Sequence, residues 1–176
     1  VISRTAVAIV ENDNARPIGR QRLAELLWPD AAAAVGRGRL RRLMHELHSA
    51  LGRGLIASDA DALWLAAGCT SDLQTTAAAI DAVLSSNDLR AGELARLLAP
   101  GAHGVLDGFA LDDSEAFAEW LAGRRLQHEA AWRRALEHAA ELAAAERDAA
   151  LLDTLAARLL QRDACAESGH AARMTA

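Results

Sequence analysis

The chain contains no lysine and no tyrosine, and its aromatic residues make up only 3% of the total, four Trp and two Phe. With Lys absent, all 19 basic residues are Arg, so any cationic contact to a phosphate has to be made by a guanidinium. Cysteine is scarce as well. Cys69 and Cys165 lie far apart and form no CxxC or other metal spacing, which reads as two ordinary thiols in a reducing cytoplasm. No apolar run approaches the roughly 18 residues of a membrane-spanning helix, which excludes a membrane partner of that kind. The chain opens at Val1 without a basic-then-apolar leader, so no secretory signal is expected, and the non-Met start suggests a fragment. Neither GxxxxGK[ST] nor GxGxxG occurs, and no nucleophile stands beside a base. An enzyme is therefore not expected, and no cofactor is implied.

What is present points to helices. Hydrophobic residues reach 52% and charged residues 24%, enough for a buried core in one domain or two small ones. Ala supplies 43 of the 176 residues, and Ala is the best helix former. The formal charge of −5 argues, taken whole, against a nucleic-acid binder. The charge is uneven, however. Residues 1–56 carry nine Arg against five acids, a balance of +4. Residues 57–123 carry two Arg against eleven acids, a balance of −9, and residues 124–176 are balanced. Such asymmetry is typical of a nucleic-acid-binding part joined to something else.

The spacing predicts a first helix over 4–10, broken before Pro17, and a compact helix over 19–28 with Leu23, Leu26 and Leu27 on one face. Pro29 disfavours helix at Trp28 and stops it. Leu40, Leu43, Met44, Leu47 and Leu51 then recur at helical spacing, forming a core stripe that ends at Gly52 and Gly54. Leu55–Ile56 and Leu63–Leu65, separated by turn formers at Ser58–Asp61, predict a β-hairpin. Beyond Ala66 the pattern is wholly helical: 72–86, 88–99, 113–145 with Gly123 as a weak point, 149–162, and a further turn from about 166. Helix pairs on short turns suggest a tetratricopeptide-like stack, although no 34-residue self-repeat is visible.

Helix, turn, helix and hairpin is the order of a winged helix-turn-helix, whose second helix enters the DNA major groove. With Leu40 at zero and about 100° per residue, Arg42, His45 and Ser49 point away from the apolar stripe. Arg39 and Arg41 flank that face, Arg37 lies nearer the core side, and Glu46 is its single acid. Guanidinium forks on such a face suit guanine edges and phosphates. Gly36 and Gly38 cost helix stability and would permit close backbone approach. The predicted wing tip, Ser58-Asp59-Ala60-Asp61, is acidic and should be repelled by phosphate, which leaves Arg53, just before the hairpin, as the better phosphate contact. The candidate DNA-binding residues are therefore Arg37, Arg39, Arg41, Arg42, His45, Ser49 and Arg53.

Other groupings read more plainly. His45 and His48 lack a third ligand, and HELH is not the HExxH metalloprotease pattern. Asp112 and Asp113, followed by Ser114, read as the capped first turn of a helix. Trp120 and Trp132 read as core packing.

Three runs carry a family resemblance: RQRLAELLWPD with GRGRLRRLMHELHSALGRGLIASDADALWLA, then LARLLAPGAHGVLDGFALDDSEAFAEWLAGRRLQ, then ALLDTLAARLLQRDACAESGHAARM. Together they resemble the Streptomyces antibiotic regulatory protein (SARP) type of regulators, a winged helix-turn-helix followed by a bacterial transcriptional activator domain. Leu106, Gly108, Phe109, Glu115, Phe117 and Trp120 contribute to the match. The resemblance implies operator binding through a recognition helix over 36–51, with Arg37, Arg41, Arg42 and His45 on its DNA face, and activation of transcription. The chain departs from the family in lacking its N-terminal antiparallel sheet, in its acidic wing, and in having Asp163-Ala164 where a Pro is usual.

The expected fold is mainly α: a winged helix-turn-helix with a short β-hairpin over residues 1–68, then an all-α tetratricopeptide-like domain over 69–176. The expected function is that of a cytoplasmic, DNA-binding transcriptional regulator. Its expected partners are double-stranded DNA, RNA polymerase and a second copy of the chain. The competing reading is a protein-interaction or oligomerisation module of a larger signalling protein, without DNA binding.

Overall fold

The structure, a computed structural model, describes residues 17–175 apart from positions 53, 70, 87–88, 99–104, 107 and 109–113. The expected helix over 4–10, Arg53, Phe109, Asp112 and Asp113 lie outside the described residues. The fold is mainly α. In chain order the elements are β1 (Ile18–Gly19), α1 (Arg20–Leu27), α2 (Ala33–Leu51), β2 (Ile56–Ser58), β3 (Ala62–Leu65), α3 (Asp72–Ser85), α4 (Ala91–Leu97), α5 (Glu115–Ala145), α6 (Ala149–Arg162) and α7 (Glu167–Thr175).

The chain forms two compact units: Val1–Thr75 with Val105–Arg125, and Thr76–Gly104 with Leu126–Ala176. This division differs from a cut at 68/69. The reason is burial: Val105, Phe117 and Leu121 join the same core as α1 and α2. Of the expected helix over 113–145, Glu115–Ala145 forms one helix, α5, uninterrupted at Gly123.

In the first unit α1 ends at Trp28, as the following Pro29 requires. Leu23, Leu26 and Leu27 face Leu40, Leu43, Met44 and Leu47 of α2 in one buried cluster with Ile56 and Leu63. Gly36 is buried against α1: a Cβ on it would sit 3.5 Å from the Ala24 Cβ, an ordinary van der Waals contact, so the packing leaves room for an alanine there. Leu51, expected in the core, is 56% exposed. It occupies the last turn of α2, just before Gly52 (φ 81°) reverses the chain, and the cluster does not extend that far.

The expected hairpin is present and gains a third strand. In the sheet β3 lies centrally, antiparallel to β2 with Ala57 opposite Trp64 and to β1 with Ile18 opposite Leu63. A two-residue strand has no periodicity to read, so β1 was not foreseen. Ile18 is held there by burial on the common core.

Ser114 ties the later segment to this unit. Its buried hydroxyl donates to the Leu26 carbonyl (2.7 Å) and accepts from the Phe117 amide (3.2 Å), so it caps α5 and satisfies the end of α1 together. Ser114→Ala strands both partners and is expected to cost about 1–3 kcal/mol. Equilibrium denaturation would check this, and an unchanged midpoint would contradict it. Nearby, Leu106 adopts a left-handed φ of 48°. Arg125 of α5 donates to the carbonyls of Val105 (2.9 Å) and Leu106 (2.5 Å), holding that turn in place.

The second unit shows what the alanine abundance is for. Along α5, Ala135, Ala139 and Ala143 recur every four residues and are fully buried beside Trp132 and Leu136. They pack in a cluster with Ile80 and Val83 of α3, Leu94 of α4, and Leu152, Leu155 and Leu159 of α6. Side chains this small let helices approach closely without a loss of helix propensity. Gly169 does the same between α6 and α7: a Cβ there would lie 2.9 Å from Leu160 Cγ.

Candidate nucleic-acid interface

The site is built on α2, a 19-residue helix whose inner face is the buried stripe just described. The stripe forces the remaining residues outward. Arg37, Arg39, Arg41, Arg42, His45 and Ser49 are all exposed, including Arg37, which the helical projection placed nearer the core. Arg37 lies early in α2, next to the buried Gly36. Arg53 lies outside the described residues. The N-terminus of α2 has no side-chain cap, and its first turn holds no acid. Unsatisfied amides and the positive end of the helix dipole therefore remain available to an anion. Gly38 has open space where its Cβ would be, so packing does not account for it.

The outer face is not uniformly free. Arg42 Nε donates to Glu46 Oε1 at 3.0 Å, one turn on. No ion pair is recorded for Arg37, Arg39 or Arg41 among the described residues. His48 is turned inward instead, with a ring nitrogen 3.3 Å from the Ile56 carbonyl, so it joins α2 to the sheet rather than to His45. No group of His, Cys, Asp and Glu suited to a metal ion occurs among the described residues.

The acidic hairpin tip has a local structural role that its charge concealed. The Asp59 carboxylate accepts from the backbone amides of Asp61 (2.8 Å) and Ala62 (2.7 Å), closing the turn. Those amides, with Arg20 nearby, hold its pKa below the usual carboxylate value. Arg20 was missed by sequence reasoning. Its Nε donates to the Asp59 carbonyl (3.0 Å) and its backbone amide to the Asp61 carbonyl (2.8 Å), anchoring the tip to the start of α1. The D-x-D-A turn was a legible signal for the Asp59 carboxylate contacts. Nothing local signalled the contacts of Arg20, which stands 39 residues from Asp59.

The second unit holds a separate polar cluster. Arg162 of α6 pairs with Glu129 of α5, and its guanidinium lies over the Trp132 ring, 4.5 Å from the centroid. Half-buried His128 adjoins this pair. Burial, then the Arg162 charge, push its pKa below the ordinary 6.5, and Glu129 opposes them. The unfolded chain therefore takes up the proton first. The contribution of His128 to stability is full above about pH 6.5 and is lost as pH falls from there through the folded pKa. Unfolding followed at Trp132, the one Trp of this unit, should show that decline. His128→Gln should flatten this part of the pH profile, and an identical profile in the variant would refute the assignment.

Comparison with known proteins finds no matching family model, no similar curated protein and no similar solved structure.

Proposed function

We propose that this chain is a DNA-binding transcriptional regulator, an activator, that reads the major groove with α2. The observation carrying the reading is the outer face of α2. There Arg37, Arg39, Arg41, Arg42, His45 and Ser49 are solvent-exposed on a helix fixed from behind by Leu40, Leu43, Met44 and Leu47. A rigidly mounted, arginine-rich helix followed by a hairpin is what groove insertion requires. The uncapped start of α2 and the open space at Gly38 favour close approach of a phosphate backbone. The resemblance of the quoted runs to SARP-type regulators supports the same reading and adds RNA polymerase as the partner of the helical part and the cytoplasm as its location. Phosphate contacts release counterions, so affinity should fall linearly on a log–log plot against salt. Retention of labelled genomic fragments across a salt series tests this, and absence of retention at low salt sinks it.

A second reading is a protein-interaction or oligomerisation module. It is favoured by apolar side chains left in solvent: Leu84 and Leu97 in the second unit, Leu126 at 72% exposure and Met174 at 90%. Self-association in the absence of any duplex binding would select this reading over the first.

A further inference from the structure

The acid on the arginine face needs a reason. Glu46 is the only carboxylate in α2, which carries four Arg and two His. Stability does not supply the reason. The Arg42–Glu46 pair is highly exposed, with side chains 84% and 54% accessible, and such solvated pairs contribute little to stability. Its order is also the weaker one, with the cation N-terminal to the acid. On a face that meets phosphates, a carboxylate opposes binding outright.

The geometry offers a different role. Glu46 engages Arg42 through Nε (3.0 Å), and no other bond of Arg42 is recorded among the described residues. The guanidinium is thereby oriented while its terminal nitrogens remain available as a fork. The remaining acceptor capacity of Glu46 faces the same side of the helix as Arg42. In the major groove a guanidinium fork matches guanine O6 and N7, and a carboxylate accepts from the cytosine N4 amine.

We infer that Glu46 is the specificity determinant of this helix, and that Arg42 and Glu46 together read a guanine and a cytosine edge at one G·C-containing step of duplex DNA. The inference rests on the proposed DNA-binding function and deepens it. Glu46 acts twice: it positions Arg42, and it rejects sequences that present no amine to its carboxylate. The basic residues around it supply attraction, and Glu46 makes that attraction conditional on sequence.

The test is the base preference of the full chain, measured by selection from randomised duplexes and then by titration of single-base variants, for wild type, Glu46→Gln and Glu46→Asp. Glu46→Gln removes the charge and keeps the shape. It is expected to bind random-sequence duplex more tightly than wild type and to lose discrimination at one G·C step by about 5–150-fold. Glu46→Asp keeps the charge but shortens the reach. It should lose the same discrimination without the gain on random sequence, which separates positioning from bulk electrostatics. Glu46 is exposed, so both variants should retain wild-type circular dichroism. Unchanged preference at every position in both variants, with duplex binding intact, overturns this inference alone. Failure of wild type to bind any duplex overturns it together with the reading beneath it.

Discussion

Arg39→Ala with Arg41→Ala is expected to give a folded protein with strongly weakened duplex binding. Both side chains are exposed on α2, and neither has a recorded ion-pair partner among the described residues, so their removal should leave the fold intact. Alanine has at least equal helix propensity. Each arginine that reaches a base edge is worth about 1–3 kcal/mol, and each that reaches a phosphate contributes about 0.9 to the slope of log K against log salt. The double variant should therefore bind at least tenfold more weakly and show a shallower salt dependence. Arg41→Lys refines the result. It keeps the charge, and hence the slope, while losing the planar fork, so sequence preference should relax before affinity collapses. Equal affinity and slope in wild type and the double variant would remove α2 as the contacting surface.

Phe117→Ala is expected to cost the first unit about 3–5 kcal/mol, a large share of the roughly 5–15 kcal/mol that stabilises a domain. Phe117 is completely buried, the largest of the fully buried side chains among the described residues. It stacks on Trp120 with ring centroids 5.6 Å apart, within the core shared by α1, α2 and the sheet. Denaturant titration followed by tryptophan fluorescence in the first unit would register the loss. A consequence follows for truncation. A chain cut after residue 68 lacks Val105, Phe117 and Leu121 from its core, and should unfold far more readily than residues 1–125. Equal stability of the two fragments, or a negligible shift in Phe117→Ala, would show that the later segment is dispensable.

Much of the architecture was legible because its signals are local. The i, i+3, i+4, i+7 spacing of Leu40, Leu43, Met44 and Leu47 marks the buried face of α2, and the same spacing assigns the opposite face to solvent. Pro29 marks the end of α1, and the helix over 149–162 was bounded in the sequence as it is in the structure. The hairpin was legible from its turn formers. Periodicity failed where it ran past its cover, as at Leu51, and where an element was too short to have a period, as at β1.

Spacing and composition were enough to establish that this protein is mainly helical, that four of its 19 arginines crowd the solvent side of one helix, and that its basic charge is arginine throughout. These follow from spacing and composition, which act over a few residues. The folded structure was needed to establish that Val105, Phe117 and Leu121 complete the first core, that Asp59 folds back on its own turn, and that Arg42 is held by Glu46. The first of these depends on which apolar surfaces meet across the chain. The other two depend on where a flexible polar side chain finds its partner, and composition cannot specify that choice.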